Sequence, residues 1–293
     1  MKINSRFLSF LIIALVYVVA SCVGITTFVF LQLDLWLKLL IADIVATTVV
    51  FAFSLIFKNA SVYDPYWSVQ PIVILVGIAI FSQLDTLKII VLCAVCLWGV
   101  RLTANWAYTF KNMQHQDWRY TMLKEKTKKF YPLINYLGIH LFPTIVVYLC
   151  TLPAAILFTT PTVATPLGYV AISFAFVAVL IQCVADCQMH YFQKHRTTQT
   201  FIQIGLWKYF QHPNYIAEIV FWWAIGLCCT ITLASQYYLI TGAMLNTLMF
   251  KFVSIPMANK RQARKPGYEE YAKQTTILAL FRKHKWTKKT IFL

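Results

Sequence analysis

The sequence predicts an all-α fold, a bundle of membrane-spanning helices, and three observations carry that prediction. Hydrophobic residues fill 59% of the 293 positions and charged ones only 12%, with a mean hydropathy of +0.64, a balance outside the range of soluble domains. The apolar residues gather in long runs, of the length needed to cross a bilayer. Most of the 26 Lys and Arg collect in connections and tail on one side of those runs, which orients the spans. In a soluble chain a formal charge of +16 would suggest nucleic acid; here it is explained by span orientation and anionic headgroups, and no nucleic-acid partner is expected.

Taken in order, the run at 7–31 follows Lys2 and Arg6 and is too long for a cleaved signal peptide, so it is read as a retained span. Further spans are expected at 35–57, 69–84, 87–110, 136–158, 166–190, 214–232 and 235–256. The third is short for a bilayer, so the count is about eight transmembrane spans, with seven possible. Eight spans place both termini in the cytosol, together with Lys58, the basic residues of 111–129, those of 194–208 and a basic cytosolic tail at 257–293. Only Lys38 and Lys88 then fall near outer loops, while Arg101 and Lys251 lie within spans. The loop from Lys111 to Tyr131, with Lys124, Lys126, Lys128 and Lys129, reads as a solvated or headgroup-facing helix. No repeat or linker divides the chain, and residues 1–293 read as a single membrane domain.

Polar residues inside spans must be paired or useful. Asp43 stands alone among Ile and Val; a helix–helix hydrogen bond or a protonated carboxyl suits it as well as a function. Arg101 forms one stripe with Asn105 and Trp98 and needs an anionic partner, Asp64 or a ligand phosphate. Asp186, Gln188 and His190 close the sixth span, with Asp186 turned into the bundle. No metal site is expected: Cys93 and Cys96 have no second pair, Cys183, Cys187 and His190 lack a fourth ligand, and His140 reads as a core histidine. All eight Cys lie in apolar runs and read as reduced.

Residues 203–223, QIGLWKYFQHPNYIAEIVFWW, run from a polar hairpin directly into an apolar helix. Gly205 permits a tight turn, Trp207, Tyr209 and Tyr215 offer aromatic faces, and Pro213 can open the helix. Asn214 and Glu218, spaced i and i+4, share one helix face. An amide, a carboxylate and helix-end N–H groups at a membrane edge suit the polar head of a ligand, and are costly to bury unused.

These residues fall into a known order. Asp186-Cys187-Gln188, Gly205-Leu206-Trp207-Lys208-Tyr209, His212-Pro213-Asn214-Tyr215, Glu218, Trp222-Trp223 and Tyr268-Glu269-Glu270-Tyr271 together resemble the pattern of the steroid 5-alpha-reductase C-terminal family. DPYWS at 64–68 and QDWRY at 116–120 are similar to its branch labelled only as a domain of unknown function, DUF1295. The resemblance covers residues 60–280, and the HPNY-x-x-E block is its specific part. It implies a membrane reductase that takes NADPH from the cytosolic side and reduces a carbon–carbon double bond of a sterol, polyprenoid or fatty-acyl lipid. The setting implied is an endoplasmic-reticulum or bacterial inner membrane. Carried over by position, it implies cofactor contacts at Asp186, Asn214, Tyr215 and Glu218, with Arg196, Arg261, Tyr268 and Tyr271 as further matches and His212 in the same block. Residue chemistry agrees. Asn214 can donate to and accept from a nicotinamide carboxamide, and carboxylates suit ribose hydroxyls. Lys208, Arg196 or Arg261 suits phosphate, and Trp207 or Tyr215 can stack on a ring.

For catalysis the resemblance implies a carboxylate and a tyrosine holding the substrate carbonyl. Asp64 precedes Arg101 by 37 residues, as the family's carboxylate precedes its membrane arginine. Trp98 stands where the family has its tyrosine, and indole is not a practical proton donor. Either Tyr63, Tyr66, Tyr108 or Tyr120 replaces it, or the reaction is not enone reduction; Asp64, Arg101 and Tyr120 form the candidate catalytic set. Two other readings stay open. One is a methyltransferase resembling the isoprenylcysteine carboxyl methyltransferases, with Glu218 and Arg261 on the ammonium and carboxylate of S-adenosylmethionine. The other is a non-catalytic lipid-binding relative.

Overall fold

The computed structural model describes residues 4–196, 198–234 and 236–276. They are 81% helical, and their only extended pairing is an isolated bridge between Phe210 and Thr276. The all-α expectation therefore holds. The chain forms two compact units, Met1–Phe176 with Trp222–Asn246, and Val177–Phe221 with Thr247–Leu293. The last residues of the basic tail, 277–293, lie outside the described residues, as does Lys2.

Helices of the first unit are α1 (Arg6–Phe30), α2 (Leu35–Ile56), α3 (Tyr66–Ile80), α4 (Thr86–Thr109), α5 (Trp118–Thr127), α6 (Tyr131–Ile134) and α7 (Phe142–Thr159). Three more, α8 (Pro166–His195), α9 (Pro213–Leu233) and α10 (Thr241–Met249), contribute residues to both units. The second unit adds α11 (Ile255–Gln262) and α12 (Tyr268–Gln274). Seven helical stretches among the described residues are long and apolar enough to cross a membrane, so the protein is an integral, multi-pass membrane protein. The short third span is α3: its 15 residues cover about 22 Å at 1.5 Å each, less than a hydrocarbon core of about 30 Å.

Close packing around α3 explains Trp98. A Cβ at Gly99 of α4 would lie 2.5 Å from the Ser68 carbonyl oxygen, so only glycine lets α4 approach this closely. Ser68 Oγ then meets Thr103 Oγ1 at 2.8 Å. Trp98, fully buried, packs edge-on against Trp67 and Trp222. Asp43 proves to be a helix–helix contact, accepting from Tyr66 Oη at 3.2 Å and from the Gln70 amide. Nearby, Tyr63 Oη, Thr144 Oγ1 and Thr47 Oγ1 follow one another at 2.8 and 3.1 Å.

Two π-helical segments, Asn135–Leu141 and Phe250–Ser254, share one cause. Each is followed within two residues by a proline, Pro143 or Pro256, near the start of α7 or α11. The pyrrolidine ring removes an N–H and crowds the carbonyl four residues back, and the ladder there shifts by one residue: Phe142 N bonds Leu137 O and Ile255 N bonds Phe250 O.

Candidate functional site

In the first unit the DPYWS and QDWRY segments are docked on one another. Asn59 Nδ2 donates to the carbonyls of Met113 and His115, Gln116 Oε1 accepts from Ala60 N at 3.1 Å, and Ser61 Oγ accepts from Asp117 N at 2.9 Å. Asp117 caps α5 through Arg119 N and also holds the Arg119 guanidinium at 2.8 and 3.3 Å. Capping of this kind fixes the helical phase, so that Tyr120 and Leu123 turn onto Ala60 and Ile139. The Tyr120 hydroxyl then donates to Asp64 Oδ1 at 2.6 Å.

Burial raises the Asp64 pKa from its ordinary 3.8 to about 6, against the opposing pull of the Arg119 charge and the Tyr120 hydrogen bond. Two of the three members named from sequence thus meet, and the cation acting on Asp64 is Arg119 rather than Arg101. Arg101 lies half-buried on α4. Among the other candidate tyrosines, Tyr63 and Tyr66 are engaged with Thr144 and Asp43, and Tyr108 is exposed.

In the second unit much of the motif order proves to be a brace. Gly205 adopts φ +56°, and a Cβ there would overlap the Gln188 side chain. With no side chain in the way, Gln188 Oε1 accepts from Leu206 N at 2.9 Å, which ties the end of α8 to the hairpin. Trp207 is buried against Ala185, Phe192 and Ile202. Its Nε1 donates to Ala185 O at 3.1 Å, and its carbonyl accepts from Tyr271 Oη at 2.6 Å. Trp207 and Tyr271 are therefore committed to packing the hairpin.

His212 and Tyr268 meet on a residue that the sequence reading did not name. Asn259 Nδ2 donates to Gln211 Oε1 at 3.2 Å, and its Oδ1 accepts from His212 Nε2 at 2.7 Å and Tyr268 Oη at 3.0 Å. That pattern puts the imidazole proton on Nε2 and leaves Nδ1 as an acceptor. Burial lowers the His212 pKa and raises that of Tyr268 to about 12. Backbone pairs Gln211 N to Thr276 O (3.0 Å) and Thr276 N to Tyr209 O (3.1 Å) complete the clasp.

The remaining motif residues of this unit lie on α8, α9 and α11 and in the connection after α8. Asn214 Oδ1 accepts from Tyr215 N at 3.1 Å, and both residues are partly exposed. Tyr215 stacks on His212, with ring centroids 5.0 Å apart at 18°. Glu218, buried one turn further on, accepts from Gln182 Nε2 at 2.7 Å, and Asp186 is buried on α8, the side expected of it. Arg196 and Arg261, both exposed, lie close enough to Lys265 that, after its own burial, their charges depress its pKa. Charges of this kind are chemically able to bind phosphate. A polar cleft of about 500 Å³ opens between the hairpin and α12, lined by Gln199, Phe201, Gln203, Gly267, Glu270 and Tyr271 among others; Asn214 and Glu218 are not part of its wall. Among the described residues no group of three or more His, Cys, Asp or Glu could hold a metal ion.

The profile of one family, described as "Protein of unknown function (DUF1295)", matches residues 50–275. The chain belongs to that family. No curated protein and no solved structure matches it. The matched region contains the docked DPYWS and QDWRY segments, the hairpin and α12, and ends one residue before Thr276.

Sequence reasoning missed Arg119, Gln182, Asn259 and Lys265. Arg119 lay inside a motif already singled out, flanked by Asp117 and Tyr120. Asn259 carries no motif signal, because two of its three partners, His212 and Gln211, are 47 and 48 residues upstream.

Proposed function

We propose that this DUF1295 protein is an NADPH-dependent reductase of a conjugated carbon–carbon double bond in a membrane lipid, of the steroid 5-alpha-reductase type. The observation that carries the reading is the Tyr120 hydroxyl seated 2.6 Å from an Asp64 carboxyl whose pKa stands near 6. Close to neutrality such a carboxyl is partly protonated, and a substrate carbonyl that replaces Asp64 Oδ1 as acceptor of the Tyr120 proton would receive a hydrogen bond from each group. That is what reduction of an enone needs, since negative charge gathers on the oxygen as the β-carbon is reduced.

The second unit supplies groups that suit NADPH. Arg196, Arg261 and Lys265 fit its phosphates, buried Glu218 and Asp186 fit hydroxyls, and Asn214 and Tyr215 fit the carboxamide and ring of nicotinamide. When bound, NADPH supplies the hydride. Tyr120 and protonated Asp64 hold the substrate oxygen while electron density moves onto it. A proton from solvent water then reaches the α-carbon and the carbonyl reforms, so the net change is one hydride from the cofactor and one proton from water added across the double bond, with hydroxide released to bulk. The distribution of basic residues supports a cytosolic cofactor face, in an endoplasmic-reticulum or bacterial inner membrane.

The test is a cofactor titration of the purified chain in nanodiscs, followed by NADPH fluorescence. NADPH should bind, and Asn214→Ala and Lys265→Gln should each weaken it by about tenfold, the equivalent of ~1.4 kcal/mol. Tyr120→Phe should leave binding intact and slow turnover of a conjugated lipid ketone by about a hundredfold. Binding of S-adenosylmethionine in place of NADPH would overturn the reading in favour of methyl transfer, and affinity for neither would overturn the enzymatic reading altogether.

A further inference from the structure

The four lysines that follow Tyr120 are unused by this chemistry, and their setting is specific. Helix α5 is two-sided. Tyr120 and Leu123 pack on Ala60 and Ile139, while Thr121, Lys124, Glu125 and Lys126 are exposed, followed by exposed Lys128 and Lys129. The two ends of the helix are electrostatically unequal. At its start Arg119 is neutralised by Asp117. At its end, Lys124, Lys126, Lys128 and Lys129 make no ion pair among the described residues, and Glu125 is the only acid among them.

These cations also sit where apolar surface begins. Phe130 and Leu133 are 59% and 56% exposed, within the helical stretch Trp118–Thr159 that is long and apolar enough to cross a membrane and just past its lysines. The ammonium of Lys129 lies over the Phe130 ring at 5.2 Å, and that of Lys124 over Tyr131 at 5.9 Å. Exposed aromatics entering a membrane span mark the headgroup layer, and uncompensated lysines at that depth attract phosphate. A free anion would need only the charge; the adjoining apolar shoulder of Phe130 and Leu133 matches acyl chains as well.

We propose that the end of α5 binds the phosphate headgroups of anionic lipids, and that this seating steadies α5 and so keeps Tyr120 on Asp64. Because one short rigid helix carries Tyr120 in its first turn and Lys124 and Lys126 in its last, a headgroup clamped at one end restrains the other. The inference does not depend on the reductase reading, since it concerns lipid and helix alone.

The experiment compares the full chain in nanodiscs of phosphatidylcholine with nanodiscs that also contain phosphatidylglycerol. Hydrogen exchange of the amides from 118 to 131 and retention of phosphatidylglycerol in native mass spectrometry are the two readouts. Exchange should slow in the anionic discs. Replacing lysines by glutamine at 124, 126, 128 and 129 should remove that difference, and lipid affinity should fall about fivefold per lysine, the ~1 kcal/mol typical of a basic residue at an anionic surface. Lys260→Gln with Lys273→Gln, an exposed control pair, should change neither readout. Equal exchange in the two discs, or slowing that survives in the quadruple variant, would overturn the proposal. Slowing produced by inorganic phosphate in phosphatidylcholine discs would also overturn it, showing a free-anion site instead.

Discussion

Replacing Asp64 by asparagine isolates the cost of the buried charge while keeping an oxygen for the Tyr120 hydroxyl. The carboxyl titrates near 3.8 in an unfolded chain and near 6 in the fold. Folding therefore holds a proton that the unfolded chain has released, and stability falls as pH rises from 3.8 towards 6, then levels. The gap corresponds to about 3 kcal/mol at most, since the residue keeps some solvent contact. Asp64→Asn has no such dependence. Near pH 4 the two proteins should unfold alike, and above about pH 7 the variant should be the more stable by up to ~3 kcal/mol. Denaturant titration of purified protein across this range provides the assay. Tyr120→Phe supplies a second arm: without its hydrogen bond the carboxylate loses support, so the transition should move to higher pH. A wild-type minus Asp64→Asn difference that stays flat between about pH 4 and 7 would refute a carboxyl held protonated by its surroundings.

Gly205→Ala should cost about 2–4 kcal/mol, from the left-handed φ and the displaced Gln188, and much of that should vanish in a Gln188→Ala background. An unchanged cost in the double mutant would rule out the brace. Asn259→Leu leaves His212 and Tyr268 without their shared acceptor and should destabilise by about 2–3 kcal/mol, measured as faster hydrogen exchange across 203–216. Because burial holds His212 neutral, stability should also fall as pH drops below about 6.5 through its lowered folded value, and His212→Gln should remove that loss. Lys128 has φ 45° and ψ −113°, a conformation suited to glycine, so Lys128→Gly should raise the unfolding midpoint by the equivalent of about 1 kcal/mol.

Helix number and extent were legible in the sequence because apolar run length reports directly on bilayer thickness. The weak third run became a 15-residue helix for the same reason that it looked weak. The hairpin was legible as a unit, but the division of labour within it was not. Trp207 and Asn214 are both motif residues, and only packing distinguishes the one that fastens α8 from the one left partly exposed. The Asp64–Tyr120 pair joins residues 56 apart, and no spacing rule links a turn before α3 to a cap of α5. Spacing instead favoured Arg101, which shares a helical stripe with Trp98 yet is not the charge that acts on Asp64. The π segments had a readable signal in Pro143 and Pro256, although proline alone more often announces a kink or a helix start.

The clasp of α12 over the hairpin sets an order of events during synthesis. Tyr268 shares Asn259 with His212, Tyr271 holds the Trp207 carbonyl, and Thr276 pairs with the backbone of Tyr209 and Gln211. Until the ribosome has passed Thr276, the turn at 205–212 has no fastening on that side. A chain that stops between Gln262 and Tyr268 would hold every candidate span yet lack the residues that fasten the hairpin on that side.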